Sequence, residues 1–273
     1  MEKYVFESGL EADFVSSRQN PRVVQTAKLE QKKYRDAEKV FLLDGVKLAR
    51  EALEFSVVRE VFIRLSDAER LEPEALAAHG AGARVTVLSD AAFERITTES
   101  APQGIVTLAE QPKTPIAGAE LCRGRFTLML DSVRDPGNLG TILRSASALG
   151  ETEVVLHSCA DLWSRKTVRA AMGAVFKTPV SVTNDGVSFV REARRAGLRV
   201  IASSPRAGGL TLGKFTPGEN DIVIIGNEGH GVSDEIIAEC DTTLMIPMRE
   251  NVESLNASAA ANVILWEAAR REK

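Results

Sequence analysis

A strand, a turn and an amphipathic helix follow one another in residues 126–150, FTLMLDSVRDPGNLGTILRSASALG. The opening run FTLMLD is apolar enough for a strand that is buried on both faces. Pro136 and Gly137 then predict a turn, and Asn138 is expected to cap a helix that begins near Leu139. Apolar residues recur at helical spacing beyond that point. The stretch therefore predicts one strand–helix unit of a parallel sheet.

The same alternation of strands and helices extends along the chain on both sides of this stretch. Strands are predicted at 40–45, 57–65, 84–88, 104–110, 126–131, 153–157, 179–183, 198–203, 221–226 and 242–247. The segment 111–119, QPKTPIAGA, interrupts the pattern with two prolines and a glycine and is the candidate linker. We therefore expect an α/β protein with a smaller α/β domain at 1–115 and a larger, largely parallel-sheet domain at 116–273.

The composition excludes several classes of protein. The chain has 273 residues, a hydrophobic content of 44% that supports packed cores, and a net charge of −4. No apolar run approaches the roughly 20 residues of a membrane helix, and the start lacks a signal-peptide pattern, so we expect a cytoplasmic protein without membrane association. Three scattered cysteines and three scattered histidines argue against a disulfide scaffold and against a metal site.

Positive charge is concentrated in the amino-terminal part of the chain. Residues 18–39 carry seven basic side chains against three acidic ones. The basic residues are Arg18, Arg22, Lys28, Lys32, Lys33, Arg35 and Lys39. Such a patch on an acidic protein can mark a polyanion partner, although charge alone favours an ordinary solvated helix face.

Three polar segments follow predicted strands, and the carboxyl ends of parallel strands form one edge of a sheet, where ligands commonly bind. In the first segment, Arg144 has small neighbours that leave room for a large ligand, although this segment taken alone favours an ordinary surface charge. The second, IIGNEGHGVSDEI at 224–236, places Glu228 among three glycines. A carboxylate in this loop would repel a phosphate, so it better suits a ligand that offers hydroxyl groups or positive charge. An ordinary glycine-rich turn is the alternative interpretation.

The third segment, MIPMRENVESLNASAAANVILWEAAR at 245–270, ends a strand at Pro247 and is expected to begin a helix near Ser254. Helix capping alone would explain Ser254 and Asn256. The predicted apolar face of this helix consists of Leu255, Ala259, Val263 and Trp266.

In their order and spacing, DPGNLGTILRSA, IGNEGHG and IPM…ESLNAS resemble the three signature motifs of the SpoU (TrmH-type) branch of the SPOUT RNA methyltransferases. This resemblance covers about residues 125–270. The stretches SSRQNPRVVQTAKLEQKKYRDAEKVFLLDGVKLAREAL and APQGIVTLAE resemble the amino-terminal RNA-binding domain of the same family, which is related to a small ribosomal-protein fold. Glu250 departs from the family pattern, which often has glycine there, and leaves the shape of the third-motif loop open.

The resemblance implies a homodimer that transfers a methyl group from S-adenosyl-L-methionine to a ribose 2′-hydroxyl of RNA, with a deep trefoil knot in its parallel sheet. Ribosomal RNA is the favoured substrate and transfer RNA the alternative. The implied cofactor contacts are Gly226, Ile246 and Leu255, and the implied catalytic set is Arg144, Asn138, Glu228, Ser254 and Asn256. RNA contacts are expected from Arg18, Arg22, Lys32, Lys33 and Arg35.

Physical chemistry restricts the roles of the catalytic set. A guanidinium group retains its proton at physiological pH, so Arg144 is a poor general base and is expected to bind a substrate phosphate bidentately and position the ribose. The 2′-hydroxyl proton would pass to that phosphate, or only transiently to Arg144. Glu228 is expected to orient Asn138 and Arg144, while Asn256 and Ser254 hold the methionine end of the cofactor or the ribose hydroxyl.

Two other classes of protein remain as alternatives. A non-catalytic RNA-binding or ribosome-assembly factor could keep the fold, but the complete set of polar motif residues argues against it. A dehydrogenase or a conventional methyltransferase would need a glycine-rich loop after the first strand, and LMLDSVRDPGN does not provide one. A serine hydrolase is disfavoured because the chain has no GxSxG motif.

Overall fold

The computed structural model describes residues 2–150, 152–204, 208–249 and 254–270. The chain divides into two compact units, Met1–Pro112 with Trp163–Phe176, and Lys113–Leu162 with Lys177–Lys273. The strands are β1 (Lys3–Val5), β2 (Glu11–Val15), β3 (Val40–Asp44), β4 (Val58–Arg64), β5 (Arg84–Leu88), β6 (Ile105–Glu110), β7 (Thr127–Asp131), β8 (Glu153–His157), β9 (Val180–Thr183), β10 (Arg199–Ser203), β11 (Leu210–Thr211), β12 (Asp221–Ile225) and β13 (Thr242–Met245).

Helices connect most of these strands, as the alternating pattern predicts. They are α1 (Pro21–Lys28), α2 (Lys32–Glu38), α3 (Val46–Phe55), α4 (Glu72–Gly80), α5 (Asp90–Phe93), α6 (Ala119–Cys122), α7 (Pro136–Leu149), α8 (Arg165–Ala171), α9 (Gly186–Arg195), α10 (Asp234–Glu239) and α11 (Ala257–Ala269). Short 3₁₀ turns lie at Leu65–Asp67, Ala174–Phe176 and Leu212–Lys214. Every strand predicted from the sequence is confirmed, whereas β1, β2 and β11 were not predicted.

The first unit contains a mixed six-stranded sheet in the order β1-β2-β5-β4-β6-β3. Its core includes a segment from much later in the chain, Trp163–Phe176. The ring centroid of Trp163 lies 4.7 Å from that of Phe41. Within the same unit, the buried Arg165 forms an ion pair of 2.6 Å with Asp44 and donates a hydrogen bond to the carbonyl of Ile96. The first unit is therefore discontinuous in sequence.

The second unit contains a seven-stranded sheet in the order β11-β13-β10-β12-β7-β8-β9. All its strand pairs are parallel, which confirms the predicted largely parallel sheet. Every residue of β7 and β12 is buried, in keeping with their apolar sequences. Helices α7 and α11 pack against each other, as do α9 and α10. The linker candidate joins this unit through Ile116, which pairs with Val182 beside β9.

Two predicted helix starts are wrong. Helix α7 begins at Pro136, and its cap is Asp135, whose carboxylate accepts the backbone N–H of Asn138. Asn138 is thus inside the first helical turn, where its side chain is not needed as a cap. Helix α11 begins at Ala257 rather than near Ser254, because Asn256 takes the capping position.

The three cysteines are free, and burial raises the pKa of each thiol. It reaches about 11 for Cys122 and Cys159 and about 12 for Cys240. All three are therefore protonated near neutral pH. Among the residues that the structure describes, no three His, Cys, Asp or Glu side chains cluster as metal ligands. No helix in the same part of the chain has the length and apolar character needed to span a membrane.

Candidate functional site

The first site loop connects β7 to α7 and is held in a single conformation by its backbone. Ser132 adopts a left-handed conformation with φ of 59°. Its N–H donates to the carbonyl of His157, and the N–H of Ala160 donates to the carbonyl of Val133, both over 2.8 Å. With Asp135 capping the helix, these bonds fix the point from which Asn138 projects.

The second site loop, between β12 and α10, is tied to the first loop near both of its ends. Asn227 exchanges two backbone hydrogen bonds with Gly231 and donates from its side chain to the carbonyl of Ser132 over 2.9 Å. Farther along, the N–H of Ser233 donates to the carboxylate of Asp131 over 3.1 Å. The position of Glu228, which lies between these anchors, is therefore set by the first loop.

Asp131 is a positioning residue of this arrangement that the sequence pattern did not single out. Its carboxylate is buried at the end of β7, with one oxygen 2.8 Å from Nδ1 of His157 and the other accepting from Ser233. Both contacts give this buried carboxyl group the hydrogen-bond partners that a buried polar group needs. The signal that could have revealed it is an acidic residue directly after the apolar run of β7.

Side-chain amides join all three site loops in one chain of hydrogen bonds. Nδ2 of Asn256 donates to Oδ1 of Asn138 over 3.1 Å, and Nδ2 of Asn138 donates to Oε1 of Glu228 over 2.7 Å. Oδ1 of Asn256 also accepts the N–H groups of Ser258 and Ala259 at the start of α11. Donors and acceptors alternate along this chain, which fixes the orientation of both amides.

Arg144 lies on the exposed side of α7. Among the described residues it forms no ion pair and no hydrogen bond, so its guanidinium is available to a ligand. The expected contact between Glu228 and Arg144 is absent, because the carboxylate of Glu228 faces the amides of Asn138 and Asn227. Of the two contacts predicted for Glu228, the structure shows only the one with Asn138.

A cavity of about 340 Å³ opens beside this network, at the carboxyl ends of β10, β12 and β13. Its volume lies in the range of small-molecule sites. The three predicted cofactor residues line it together with two of the predicted catalytic ones: Gly226, Ile246, Leu255, Glu228 and Ser254. Asp234 adds a second carboxylate to the lining. The cavity therefore suits a ligand that has apolar parts and positive charge.

Gly226 lies where the second loop doubles back on itself. A Cβ atom at this position would overlap the backbone of Gly231 and Val232. Only glycine fits, so the backbone of residue 226 forms part of the cavity wall directly.

The amino-acid sequence of residues 125–266 matches the model of the SpoU rRNA Methylase family. The chain belongs to the SpoU rRNA methylase family. Residues 20–107 also match the model of the MRM3-like substrate binding domain, which agrees with the smaller α/β unit and its amino-terminal sheet. The family assignment expected from the three motifs is thus confirmed.

Relatives of this SpoU methylase are similar over nearly their whole length. The chain is 34% identical over 92% of its length to 23S rRNA (guanosine(2553)-2′-O)-methyltransferase RlmP of Bacillus subtilis, covering 97% of that protein. An AdoMet-bound rRNA methyltransferase from Sinorhizobium meliloti matches with a TM-score of 0.83 and 32% identity, over 96% of this chain and 98% of that one. The SpoU methyltransferase AviRb from Streptomyces viridochromogenes, in complex with AdoMet, matches with a TM-score of 0.78 and 26% identity, over 93% and 99%.

Two of the residues predicted to contact RNA in this SpoU methylase bond to the protein itself. Arg35 is buried, and its guanidinium donates to the carbonyls of Leu29 and Glu30, which ties α2 to the end of α1. Arg22 forms ion pairs with Asp13 and with the buried Glu60. The guanidinium of Arg35 is enclosed by the protein, whereas that of Arg22, whose side chain is 24% exposed, is held by two carboxylates. A phosphate would have to replace these internal partners.

The other three predicted RNA contacts of the SpoU methylase lie on the surface. Arg18, Lys32 and Lys33 are exposed. Lys32 forms an exposed ion pair of 2.7 Å with Asp36, which is weak and open to exchange. Nζ of Lys33 lies 4.8 Å from the ring centroid of Tyr34. A phosphate contact remains possible for each of them.

The third site loop of the SpoU methylase is only partly described. Glu250, the departure from the family pattern, lies outside the described residues. On α11 the predicted apolar face is not packed in the core of the chain: Val263 is 39% and Trp266 is 59% exposed. The buried face contains Ala261 and Ile264 instead. Because this helix is apolar on nearly all sides, its sequence did not distinguish the two faces.

Proposed function

We propose that this SpoU methylase transfers a methyl group from S-adenosyl-L-methionine to a ribose 2′-hydroxyl of ribosomal RNA. The observation that carries the proposal is the hydrogen-bonded chain Asn256–Asn138–Glu228, which brings the three motif loops together beside one cavity. The names of relatives such as RlmP support both the reaction and the ribosomal substrate. Transfer RNA is the alternative substrate.

The cavity fits S-adenosylmethionine by its chemistry. Because Gly226 has no side chain, its own backbone groups form part of the cavity wall. Ile246 and Leu255 add apolar surface. The carboxylates of Glu228 and Asp234 attract positive charge. When bound, the cofactor supplies a methyl group on a positively charged sulfonium. Ser254, whose side chain is exposed at the lining, is assigned to the methionine end.

The protein's own contribution to the reaction is orientation. The exposed guanidinium of Arg144 binds a substrate phosphate bidentately and holds the ribose against the cavity mouth. The phosphate oxygen then accepts the 2′-hydroxyl proton. Asn138, fixed between Glu228 and Asn256, donates or accepts at the ribose. Asn256 acts on the substrate through Asn138 rather than directly.

Two measurements test this function. Calorimetry of the purified protein is expected to show binding of S-adenosylmethionine. A map of 2′-O-methylated positions in total RNA is expected to lose a ribosomal RNA site when the gene is deleted. Loss of a transfer RNA site instead would support the alternative substrate. An unchanged map together with no heat of cofactor binding would refute the methyltransferase and favour an assembly factor.

We also infer a homodimer, supported by the exposed apolar face of α11. Trp266→Glu is expected to shift the protein from dimer to monomer in analytical ultracentrifugation, because it places a charge in an apolar contact. Val57→Glu is a matched control, since Val57 is 61% exposed and lies in the first unit. A Trp266→Glu protein that sediments like the wild type would contradict the assignment of this face.

The amino-terminal domain, predicted at 1–115 and completed in the structure by Trp163–Phe176, is proposed to bind RNA phosphates. The catalytic domain, with its knot, is proposed to take up the rest of the predicted span 116–273. Joint replacement of Arg18, Lys32 and Lys33 by glutamine is expected to weaken RNA binding and to lower its salt dependence, since fewer counterions are released. Filter binding at several salt concentrations measures both effects.

The control for this test uses a cation elsewhere in the same unit. Arg59→Gln removes an exposed, ion-paired arginine and is expected to leave RNA affinity unchanged. Unaltered RNA affinity in the triple variant would show that the surface formed by residues 18–33 is an ordinary solvated one.

Arg35→Gln is expected to lower thermal stability, because it leaves the carbonyls of Leu29 and Glu30 without their donor.

The protein is further proposed to be cytoplasmic. Its three free cysteines fit a reducing compartment.

A further inference from the structure

The arginines of the second unit divide into two groups. In the described part of this unit, most arginines have a carboxylate partner: Arg123 with Glu120, Arg125 with Glu153, Arg191 with Glu239, Arg194 with Asp241, Arg199 with Asp221 and Arg270 with Glu267. Four other arginines are exposed and form no ion pair and no hydrogen bond with any described residue: Arg134, Arg144, Arg195 and Arg249. The positive charge of these four arginines is therefore not compensated by a carboxylate among the described residues.

Two of these four arginines lie in the site loops, and a third lies on the helix that follows the first site loop. Arg134 lies in the loop between β7 and α7, directly before the helix cap Asp135, and Arg144 lies on α7 itself. Arg249 directly follows Met248, which lines the cavity. Arg195 is the exception, because it ends α9 and so lies at the opposite, amino-terminal edge of the sheet, where β10 begins.

Arg134 projects from backbone that is held firmly. Its neighbour Val133 is fully buried, and the carbonyl of Val133 accepts a hydrogen bond from Ala160. The carboxylates nearest in sequence and at the site are occupied by other donors: Asp135 accepts from the backbone of Asn138, and Glu228 accepts from the amides of Asn138 and Asn227. Among the described residues no carboxylate pairs with Arg134, and the planar fork of its guanidinium is suited to phosphate oxygens.

We propose that Arg134 and Arg249 bind RNA phosphates that neighbour the methylated nucleotide, so that the RNA strand runs over the mouth of the cavity between the first and third site loops. The inference rests on the proposed function and adds the path of the substrate. Backbone contacts of this kind position an RNA without reading its sequence. Arg144 holds the reacting nucleotide, and the two further arginines hold the strand around it.

The test uses total RNA from cells that lack the gene, with S-adenosylmethionine labelled in its methyl group. Arg134→Ala and Arg249→Ala are each expected to raise KM for this RNA about tenfold, the effect of losing a hydrogen bond to a charged group. Each is also expected to lower the slope of log affinity against log salt by about one. Affinity for S-adenosylmethionine, measured by calorimetry, is expected to stay at the wild-type value.

Arg195→Ala is the matched control, because it removes an equally exposed, unpaired arginine from the other edge of the sheet. It is expected to leave both KM for RNA and the salt slope unchanged. Unchanged KM and slope in Arg134→Ala and Arg249→Ala, or an equal loss in Arg195→Ala, would overturn the inference. If the wild-type protein transfers no methyl group to this RNA, the proposed function fails and the inference fails with it.

Discussion

Replacement of Arg144 by lysine is expected to lower the turnover of methyl transfer by about 100-fold while leaving the affinity for S-adenosylmethionine unchanged. Lysine keeps the positive charge, but a single ammonium group cannot reproduce two parallel hydrogen bonds to a phosphate. Because Arg144 is exposed and has no partner among the described residues, the change is not expected to disturb folding. Turnover is measured with labelled cofactor, and cofactor affinity by calorimetry.

The control for this experiment is Arg195→Lys, which makes the same chemical change at an exposed arginine far from the cavity. Its turnover is expected to equal that of the wild type. Wild-type turnover in Arg144→Lys would show that charge alone suffices and would reject bidentate binding. A loss of cofactor affinity in Arg144→Lys would place this residue in the cofactor site instead.

Gly226→Ala is expected to abolish cofactor binding and to lower thermal stability. The added Cβ atom would occupy the space of the Gly231 and Val232 backbone, so the second site loop must move as a whole. Movement of that loop separates Glu228 from Asn138 and opens the hydrogen-bonded chain between the three loops. Calorimetry with S-adenosylmethionine and a thermal melt measure the two losses.

Gly229→Ala is the comparison for this prediction, because it adds the same methyl group three residues away. A Cβ atom there meets Oδ1 of Asn227 at 3.4 Å, which is an ordinary contact. Its melting temperature is expected to stay close to that of the wild type. Equal stability of Gly226→Ala and Gly229→Ala would show that the loop tolerates a side chain at residue 226 and would undermine its role as cavity wall.

Much of the fold could be predicted because burial leaves a direct trace in the sequence. In the second unit, β7 and β12 are buried along their whole length, and every strand of that unit except β11 was predicted. The strands β1 and β11 are only three and two residues long, and β2 contains Glu11 and Asp13, so their patterns were too short or too polar to detect. Their place in the sheets depends on neighbouring strands rather than on their own sequences.

The candidate site was predictable in its residues but not in all of its contacts. Motif order brought Asn138, Glu228 and Asn256 into consideration, and the structure joins them. A local pattern could not tell that Arg22 pairs with Glu60, because these residues are far apart in sequence and become neighbours only through folding. The partners of Arg35, the carbonyls of Leu29 and Glu30, are close in sequence, but they come within reach only where α2 is tied to the end of α1. Basic residues on an amphipathic helix look alike until tertiary contacts select among them.

The segment Trp163–Phe176 affects how the two units can be handled as separate proteins. Because it supplies part of the first unit's core, the chain crosses between the units at 112/113, at 162/163 and again at 176/177. A single cleavage in the linker 111–119 therefore does not separate the units cleanly, because Trp163–Phe176 of the first unit stays covalently attached to the second unit. A fragment that stops at the linker leaves Phe41 without Trp163, so an exchange of substrate domains between relatives must carry this short segment along.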